Sequence, residues 1–166
     1  LLVLIDGRSV YTPSYSGVYW EVQDVLLEDV DRIEVIRGPG ATLWGANAVN
    51  GVINILTKHA ADTQGGLLSL GGGDQEKAFA GARYGTSLGD GIYGRIYAKG
   101  FERDEFEHAI GGDAGDDWKM LRGGFRIDSV LNSKDSVTIQ GDIYNGDINQ
   151  EVDLATLTPP AFFTYG

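Results

Sequence analysis

Cysteine is absent from all 166 residues, which excludes a disulfide framework and any cysteine-ligated zinc or iron–sulfur site. Proline is scarce, with 4 residues, and methionine occurs once. The 2 histidines, His59 and His108, stand too far apart for ligand spacing and read as solvated loop residues. Basic residues are also few. Lys and Arg number 13 against 24 Asp and Glu, a net charge of −11, so no nucleic-acid partner is expected, because neutralising phosphates needs a basic face. Nowhere is there a run of roughly 18 apolar residues, the length a membrane-crossing helix requires. An initiator methionine, a basic leader and a small-residue cleavage site are lacking as well. Both ends read as cut, and the chain reads as an internal piece of a longer protein.

What the chain does have is glycine, 25 residues, about twice the usual share. Hydrophobic residues make up 42%, enough for a core and too many for wholesale disorder. Residues 1–60 read as compact mixed α/β. The apolar run 1–5, closed by Asp6-Gly7, suits a buried strand ending in a turn. Residues 27–33 have room for one helical turn, leading into the β-branched run 33–36. That run must stop at Arg37-Gly38-Pro39-Gly40, since proline cannot donate to a ladder and glycine weakens one. A short turn over 41–46 and a second β-rich run over 49–57 complete this part.

After about Lys58 the period becomes two. Ala78, Ala80, Ala82 and Tyr84 alternate with Lys77, Phe79, Gly81 and Arg83. Ile92, Gly94, Ile96 and Ala98 alternate with Tyr93, Arg95, Tyr97 and Lys99. Leu121, Gly123, Phe125 and Ile127 alternate with Met120, Arg122, Gly124 and Arg126. Val137, Ile139, Gly141 and Ile143 alternate with Thr138, Gln140, Asp142 and Tyr144. With a weaker run over 66–72, these predict about five antiparallel strands, small or apolar on one face and polar on the other. Short and long links alternate between them, as in a transmembrane β-barrel, although the link 73–76 breaks that order if it lies on the loop side.

A soluble antiparallel sheet shows the same alternation, core in and water out, and on periodicity alone it is the stronger reading. The composition of the faces favours the barrel. Arg83, Arg95, Lys99, Arg122 and Arg126 with Tyr93, Tyr97 and Tyr144 suit a wet lumen, and the Gly/Ala-rich face suits a lipid-facing wall better than an interlocking core. Tyr84, Phe101 and Trp118 are expected near strand ends as membrane-interface aromatics.

The motifs for catalysis and cofactor binding fail. Leu43 stands where a dinucleotide fingerprint needs glycine, and Ala46 replaces the lysine of a phosphate loop. The acidic stretches 111–117 and 145–153 do not match the spacing of a calcium loop. Ser9, Ser14 and Ser16 lack a nucleophile setting, and the carboxylates Asp104 and Glu107 lie on one loop with nothing to set them across a cleft. The chain is read as no enzyme, with no cofactor and no metal.

Residues 29–58, DVDRIEVIRGPGATLWGANAVNGVINILTK, closely resemble the plug region of TonB-dependent outer-membrane receptors. The core of that resemblance is Asp31, where the family more often has glutamate, with Ile33, Glu34, Val35, Arg37, Gly38 and Pro39. Gly45, Asn47, Asn50, Gly51, Val52, Ile53, Asn54, Ile55 and Thr57 continue it, and residues 3–8 look like the strand and turn that precede it. The resemblance implies an α+β plug, a small mixed sheet with short helices, followed by antiparallel strands of a large transmembrane β-barrel of roughly 22 strands. On that reading 1–59 is the C-terminal part of the plug and 60–166 holds the opening strands of the barrel.

It further implies the outer membrane of a Gram-negative bacterium and active uptake of a scarce ligand such as a ferric siderophore or cobalamin. The implied partners are outer-membrane lipid, the ligand, and the energy-coupling protein TonB, whose docking box is not in this sequence. Charged plug residues able to pair with the wall are Arg8, Arg32, Glu34 and Arg37, and Gly38, Pro39 and Gly40 form the turn. Tyr11, Tyr15, Tyr19 and Trp20 are candidate ligand contacts on an apical loop, though an ordinary packed loop explains them too. Two other readings stay open: a soluble sheet presenting acidic loops (Asp113, Asp116, Asp117, Asp147, Asp153) to calcium or carbohydrate, and an adhesin or passive porin without a plug.

Overall fold

The computed structural model describes residues 1–14, 17–45, 47–108 and 111–150, together with the backbone of strands 152–155 and 162–165. Its first part is a four-stranded sheet of β1 (Leu2–Ile5), β2 (Arg8–Ser9), β3 (Val30–Arg37) and β4 (Gly51–Thr57), in the order β2-β1-β4-β3. β1 runs parallel to β4, and the other two pairings are antiparallel. β1 is buried along its whole length, which is why its sequence is a continuous apolar run rather than an alternating one. One side of the sheet packs Leu2, Leu4, Ala48 and Val52; the other packs Val3, Ile5, Val10 and Val18.

The turn from β1 to β2 places Asp6 at φ 47° and Gly7 at φ 80°. Both lie in the left-handed region, the geometry of a tight hairpin, which Asp and Gly tolerate best. Asp6 is held there by Thr57, whose N–H and Oγ1 donate to its carboxylate at 2.7 and 2.8 Å. A 3-10 turn at Leu27–Asp29 leads into β3, and a one-turn helix α1 (Ala41–Trp44) follows Gly40. Both fall where the sequence suggested brief helical turns.

A 3-10 turn at Ala60–Thr63 then delivers the chain to a five-stranded antiparallel meander: β5 (Gly65–Gly71), β6 (Ala78–Gly89), β7 (Ile92–Arg103), β8 (Trp118–Val130) and β9 (Ser136–Ile148). A separate hairpin of β10 (Val152–Ala155) and β11 (Phe162–Tyr165) follows. The tight turns at 90–91 and 131–135 lie at one end of the meander, and the links 72–77 and 104–117 lie at the other. The short link 72–77 is therefore on the long-loop end. It is closed by a hydrogen bond from Gly73 N to Glu76 O at 2.7 Å and tied to Asp104 through Gln75.

Register fixes the faces. Ala82, Ala98, Gly123 and Ile143 form one line across the strands, and Arg83, Tyr97, Gly124 and Asp142 the neighbouring line. The second line faces the four-stranded sheet; the first faces away. On the outward face Ile96 is 62% exposed, Ile139 56% and Ile143 78%, so no second protein layer covers it. A soluble core on that side is thereby ruled out among the described residues. The expected interface aromatics divide: Tyr84 points outward, but Phe101 and Trp118 point inward, with Phe101 buried. Strand parity explains the difference, because Phe101 shares its parity with Lys99 and Arg95.

Candidate functional site: the interface between the two sheets

The inward face of the meander sets cations opposite one another. Arg95 pairs with Arg126 across β7 and β8, and Lys99 pairs with Arg122. Like charges directly opposite destabilise a sheet, so this face requires acids or acceptors from outside the meander or from its own flanks. The N-terminal part supplies many of them.

Asp29, at the entry to β3, receives Arg83 at 2.5 Å and Arg95 at 3.4 Å, and all three side chains are at most 10% exposed. Arg95 also donates to the Lys58 carbonyl at 2.7 Å and to the hydroxyls of Thr57 and Thr63 at 3.0 and 3.3 Å. Arg126 reaches Asp6 at 3.4 Å and Thr57 Oγ1 at 3.0 Å. Lys99 donates to Asp24 at 2.7 Å and to the Val25 carbonyl at 3.3 Å. Arg122 donates to Asp142 of β9 at 2.9 Å and to the Val22 carbonyl. Asp142 apart, carboxylates, hydroxyls and main-chain oxygens of the N-terminal part and of the link after it thus answer guanidinium and ammonium groups of the meander, in a largely desolvated setting where such bonds are strong.

Asp128 anchors the connection between the two parts. It is buried, and its carboxylate accepts from Ala60 N at 2.7 Å, Thr138 Oγ1 at 2.6 Å and Arg126 Nε at 2.8 Å. The Ala60–Thr63 turn lies directly against the meander because Gly85 opposes it: a Cβ at Gly85 would stand 2.1 Å from Thr63 O. Gly81 similarly makes room for Leu26. A further polar cavity of about 320 Å³ remains between the sheets, lined by Asp6, Arg8, Arg122, Arg126 and Asp142 among others.

The residues singled out from sequence take different positions. Arg8 is exposed, 3.6 Å from Asp142 of β9. Arg32 pairs with Asp31 at 2.7 Å and with Glu34 at 2.8 Å, and Glu34 also accepts from Asn54 at 3.0 Å. The Arg32 hydrogen bond, then that of Asn54, holds the Glu34 carboxyl below the ordinary carboxylate range. Arg37 is exposed with no partner among the described residues. Arg32, Glu34 and Arg37 all lie on β3, the edge strand of its sheet, and among the described residues the hydrogen bonds and ion pairs of Arg32 and Glu34 stay within β3 and β4. Gly38 has φ 91°, and Gly40, buried, donates to the Ala48 carbonyl at 2.9 Å and begins α1.

Tyr11 packs against the Leu2, Leu4, Ala48 and Val52 cluster. Tyr19 lines a cavity of about 740 Å³ at the long-loop end, and Trp20 beside it is 51% exposed. Tyr15 lies outside the described residues. Missed from sequence were Asp6, Asp24, Asp29 and Thr57 as partners of the wall. The signal available was charge complementarity, since a face with five cations demands acids opposite it.

Residues 1–52 match the family described as TonB-dependent Receptor Plug Domain. Over 134 residues the chain is 34% identical to a vitamin B12 transporter, BtuB, of Vibrio cholerae, covering 79% of this chain and 21% of that protein. Over 86 residues it is 38% identical to a ferric enterobactin receptor of Pseudomonas aeruginosa, covering 46% of this chain and 12% of that protein. Among solved structures, a mutant of the Pseudomonas aeruginosa ferric enterobactin receptor in complex with enterobactin aligns with a TM-score of 0.60 at 21% identity, over 89% of this chain and 25% of that one. The likeness to that structure is one of fold. The chain spans a quarter or less of the length of these relatives.

Proposed function

This chain belongs to the TonB-dependent receptors, and from that premise we propose that it forms part of an active importer in the outer membrane of a Gram-negative bacterium. Residues 1–59 act as plug, and residues 60–166 contribute opening strands of the barrel wall. The ligand is a scarce complex, a ferric siderophore or a cobalamin, and TonB supplies the energy. The reading assigns the chain no catalytic step.

One observation carries this reading: over β6–β8 the polar face of the meander is the covered one, packed against the N-terminal part, while the apolar face is bare. In water the apolar face would be a large exposed patch; in a bilayer it is the lipid-facing side of a barrel strand. A soluble calcium- or carbohydrate-binding sheet would need that face covered. The exposed edge strand β3, with Ile33, Val35, Arg32 and Arg37, is where we place contact with wall strands beyond those described.

Directional transport requires a stopper that yields. Ion pairs and carbonyl hydrogen bonds suit this, because each can be exchanged for water one at a time, whereas an interlocked apolar interface separates only as a whole. The cavity at the long-loop end, between Tyr19–Val22 of the plug and Arg103, Phe106 and Trp118 of the wall, is where incoming ligand meets both parts.

The test is uptake of labelled cyanocobalamin and ferric siderophores by cells carrying the full-length receptor, with the proton gradient intact and collapsed. Accumulation that stops on collapse is expected. Uptake that persists would make the protein a passive porin, and recovery of the receptor in the soluble fraction would end the membrane reading altogether.

A further inference from the structure

The cavity at the long-loop end carries a charge pattern that bears on which ligands it admits. Its described lining includes four carboxylates, Glu21, Glu76, Asp104 and Asp116, and one cation, Arg103. That cation is already engaged. Its guanidinium carbon lies 4.7 Å from the ring centroids of both Phe101 and Trp118, and Nε and Nη2 both donate to Glu76 Oε1 at 3.3 Å. The two rings, themselves in an edge-to-face pair at 4.8 Å, flank the guanidinium, and Glu76 pairs with it although the Arg103 side chain stays 42% exposed.

Asp104 is matched by Lys77 at 2.7 Å. Asp116 takes the Phe106 N–H at 2.8 Å, a bond that holds a carboxylate without cancelling its charge. Glu21 and Asp116 have no cationic partner among the described residues. This part of the cavity therefore presents aromatic surface with an uncompensated negative field, and a cleft of one sign with low-dielectric walls amplifies that field.

We propose that the cavity discriminates by ligand charge, admitting electroneutral or cationic complexes and rejecting trianionic ferric tris-catecholates. The proposal rests on the importer reading above and refines it. An iron(III) ion held by three doubly deprotonated catecholates carries three negative charges and needs unpaired cations at its receptor, and Arg103 is not one. A neutral corrinoid or a neutral ferric trihydroxamate offers apolar edges to Tyr19, Phe106 and Trp118 and suffers no repulsion from Glu21 and Asp116. Like-charge juxtaposition is a common device by which a surface excludes wrong partners.

The experiment uses the full-length receptor in outer-membrane vesicles and three probes: cyanocobalamin, a neutral ferric trihydroxamate and a trianionic ferric tris-catecholate. At least one neutral probe is expected to bind about tenfold or more tighter than the trianion, with the gap widening at low salt as screening falls. The double variant Glu21→Gln with Asp116→Asn is expected to improve trianion binding by about tenfold relative to the neutral probes. Each single variant serves as a check on folding, read by retention in the outer membrane. Preferential binding of the trianion, or no gain for it in the double variant, overturns the inference and leaves the importer reading standing. Binding of none of the three by a correctly inserted receptor counts against the importer reading itself, and the inference falls with it.

Discussion

The two faces of the strands β6–β8 reverse the ordinary arrangement of a globular protein. Over β6–β8 the face rich in Arg, Lys and Tyr is covered and hydrogen-bonded, while the face of Ala, Gly, Ile and Leu lies open; β9, at the edge of the meander, is exposed on both faces. Covering a charged face is tolerable only when each charge finds a partner. Here the N-terminal part provides Asp6, Asp24, Asp29 and Thr57 together with the carbonyls of Val22, Val25 and Lys58. Opening an apolar face is tolerable only when the solvent is itself apolar. On the proposed reading the strand alternation serves two solvents, lipid on one side and a protein stopper with residual water on the other. A soluble sheet with the same period needs only water and a core.

Removing a partner from the covered face should have the largest effect. Asp29→Ala strands both Arg83 and Arg95 in a desolvated site, and the loss is expected to be about 3–5 kcal/mol of plug–wall stability. Protease accessibility of the plug in the full-length receptor, measured against urea, reads it directly. Asp29→Asn, which keeps the shape and some hydrogen bonding, should lose less. If the two variants behave alike, shape and not charge holds that contact.

Next comes the open face. Ile96→Arg is expected to destabilise the receptor in a bilayer by about 2–4 kcal/mol if Ile96 lies near the midplane, seen as reduced assembly into the membrane. On a water-exposed surface the same change would fall within about ±0.5 kcal/mol. The variant therefore separates lipid from water as the outer solvent.

Glycines on the two faces sharpen the contrast further. At Gly85, facing the plug, an added Cβ meets Thr63 O at 2.1 Å; at Gly123, facing outward, the nearest atom is Tyr97 O at 3.5 Å. Gly85→Ala should cost about 1–3 kcal/mol by pushing the Ala60–Thr63 turn off the wall, and Gly123→Ala should be close to neutral. Thermal unfolding of the two variants side by side checks this.

The smallest expected effect concerns pH. The Glu28 carboxyl is held below its ordinary value, first by its own backbone N–H, then by the Ser69 hydroxyl, with help from the nearby Lys99 and Arg83 charges. A lowered pKa contributes stability that is present at neutral pH and is lost as pH falls through that lowered value. Glu28→Gln should lower plug stability slightly at neutral pH and leave the value at acid pH nearly unchanged, which flattens the acid side of the plug-release curve. Plug protease protection titrated from neutral to acid pH would show it.

Much of this was legible in the sequence, and the physical reason is parity. Side chains on a strand alternate strictly, so Ile96 against Tyr97 already declared two environments. The continuous run of β1 announced a strand buried on both sides, and Arg37-Gly38-Pro39 announced the end of β3. The plug–wall contacts were much harder to read. Arg83 meets Asp29 across 54 positions and Lys99 meets Asp24 across 75, separations that leave no local pattern. Several acceptors are main-chain carbonyls, which any residue type supplies. Sequence drew attention to Arg8, Arg32, Glu34 and Arg37. Of these, only Arg8 comes near a described wall strand, and the wall's own arginines reach instead for plug carboxylates. Phe101 and Trp118 were misplaced because an aromatic near a strand end carries no label for its face; its parity with the cationic positions did.

The most direct test of the two-solvent wall uses the absence of native cysteine in this chain. Single cysteines at Ile139 and Ile143, and at Gln140 and Tyr144, would carry spin labels in the full-length receptor reconstituted in a bilayer. Collisions with oxygen, which partitions into lipid, are compared with collisions with a water-soluble nickel complex. The account predicts strict alternation, with 139 and 143 open to oxygen and closed to nickel, and 140 and 144 closed to oxygen. Equal nickel access at 139 and 143, or protection of those two positions from both reagents, would contradict it.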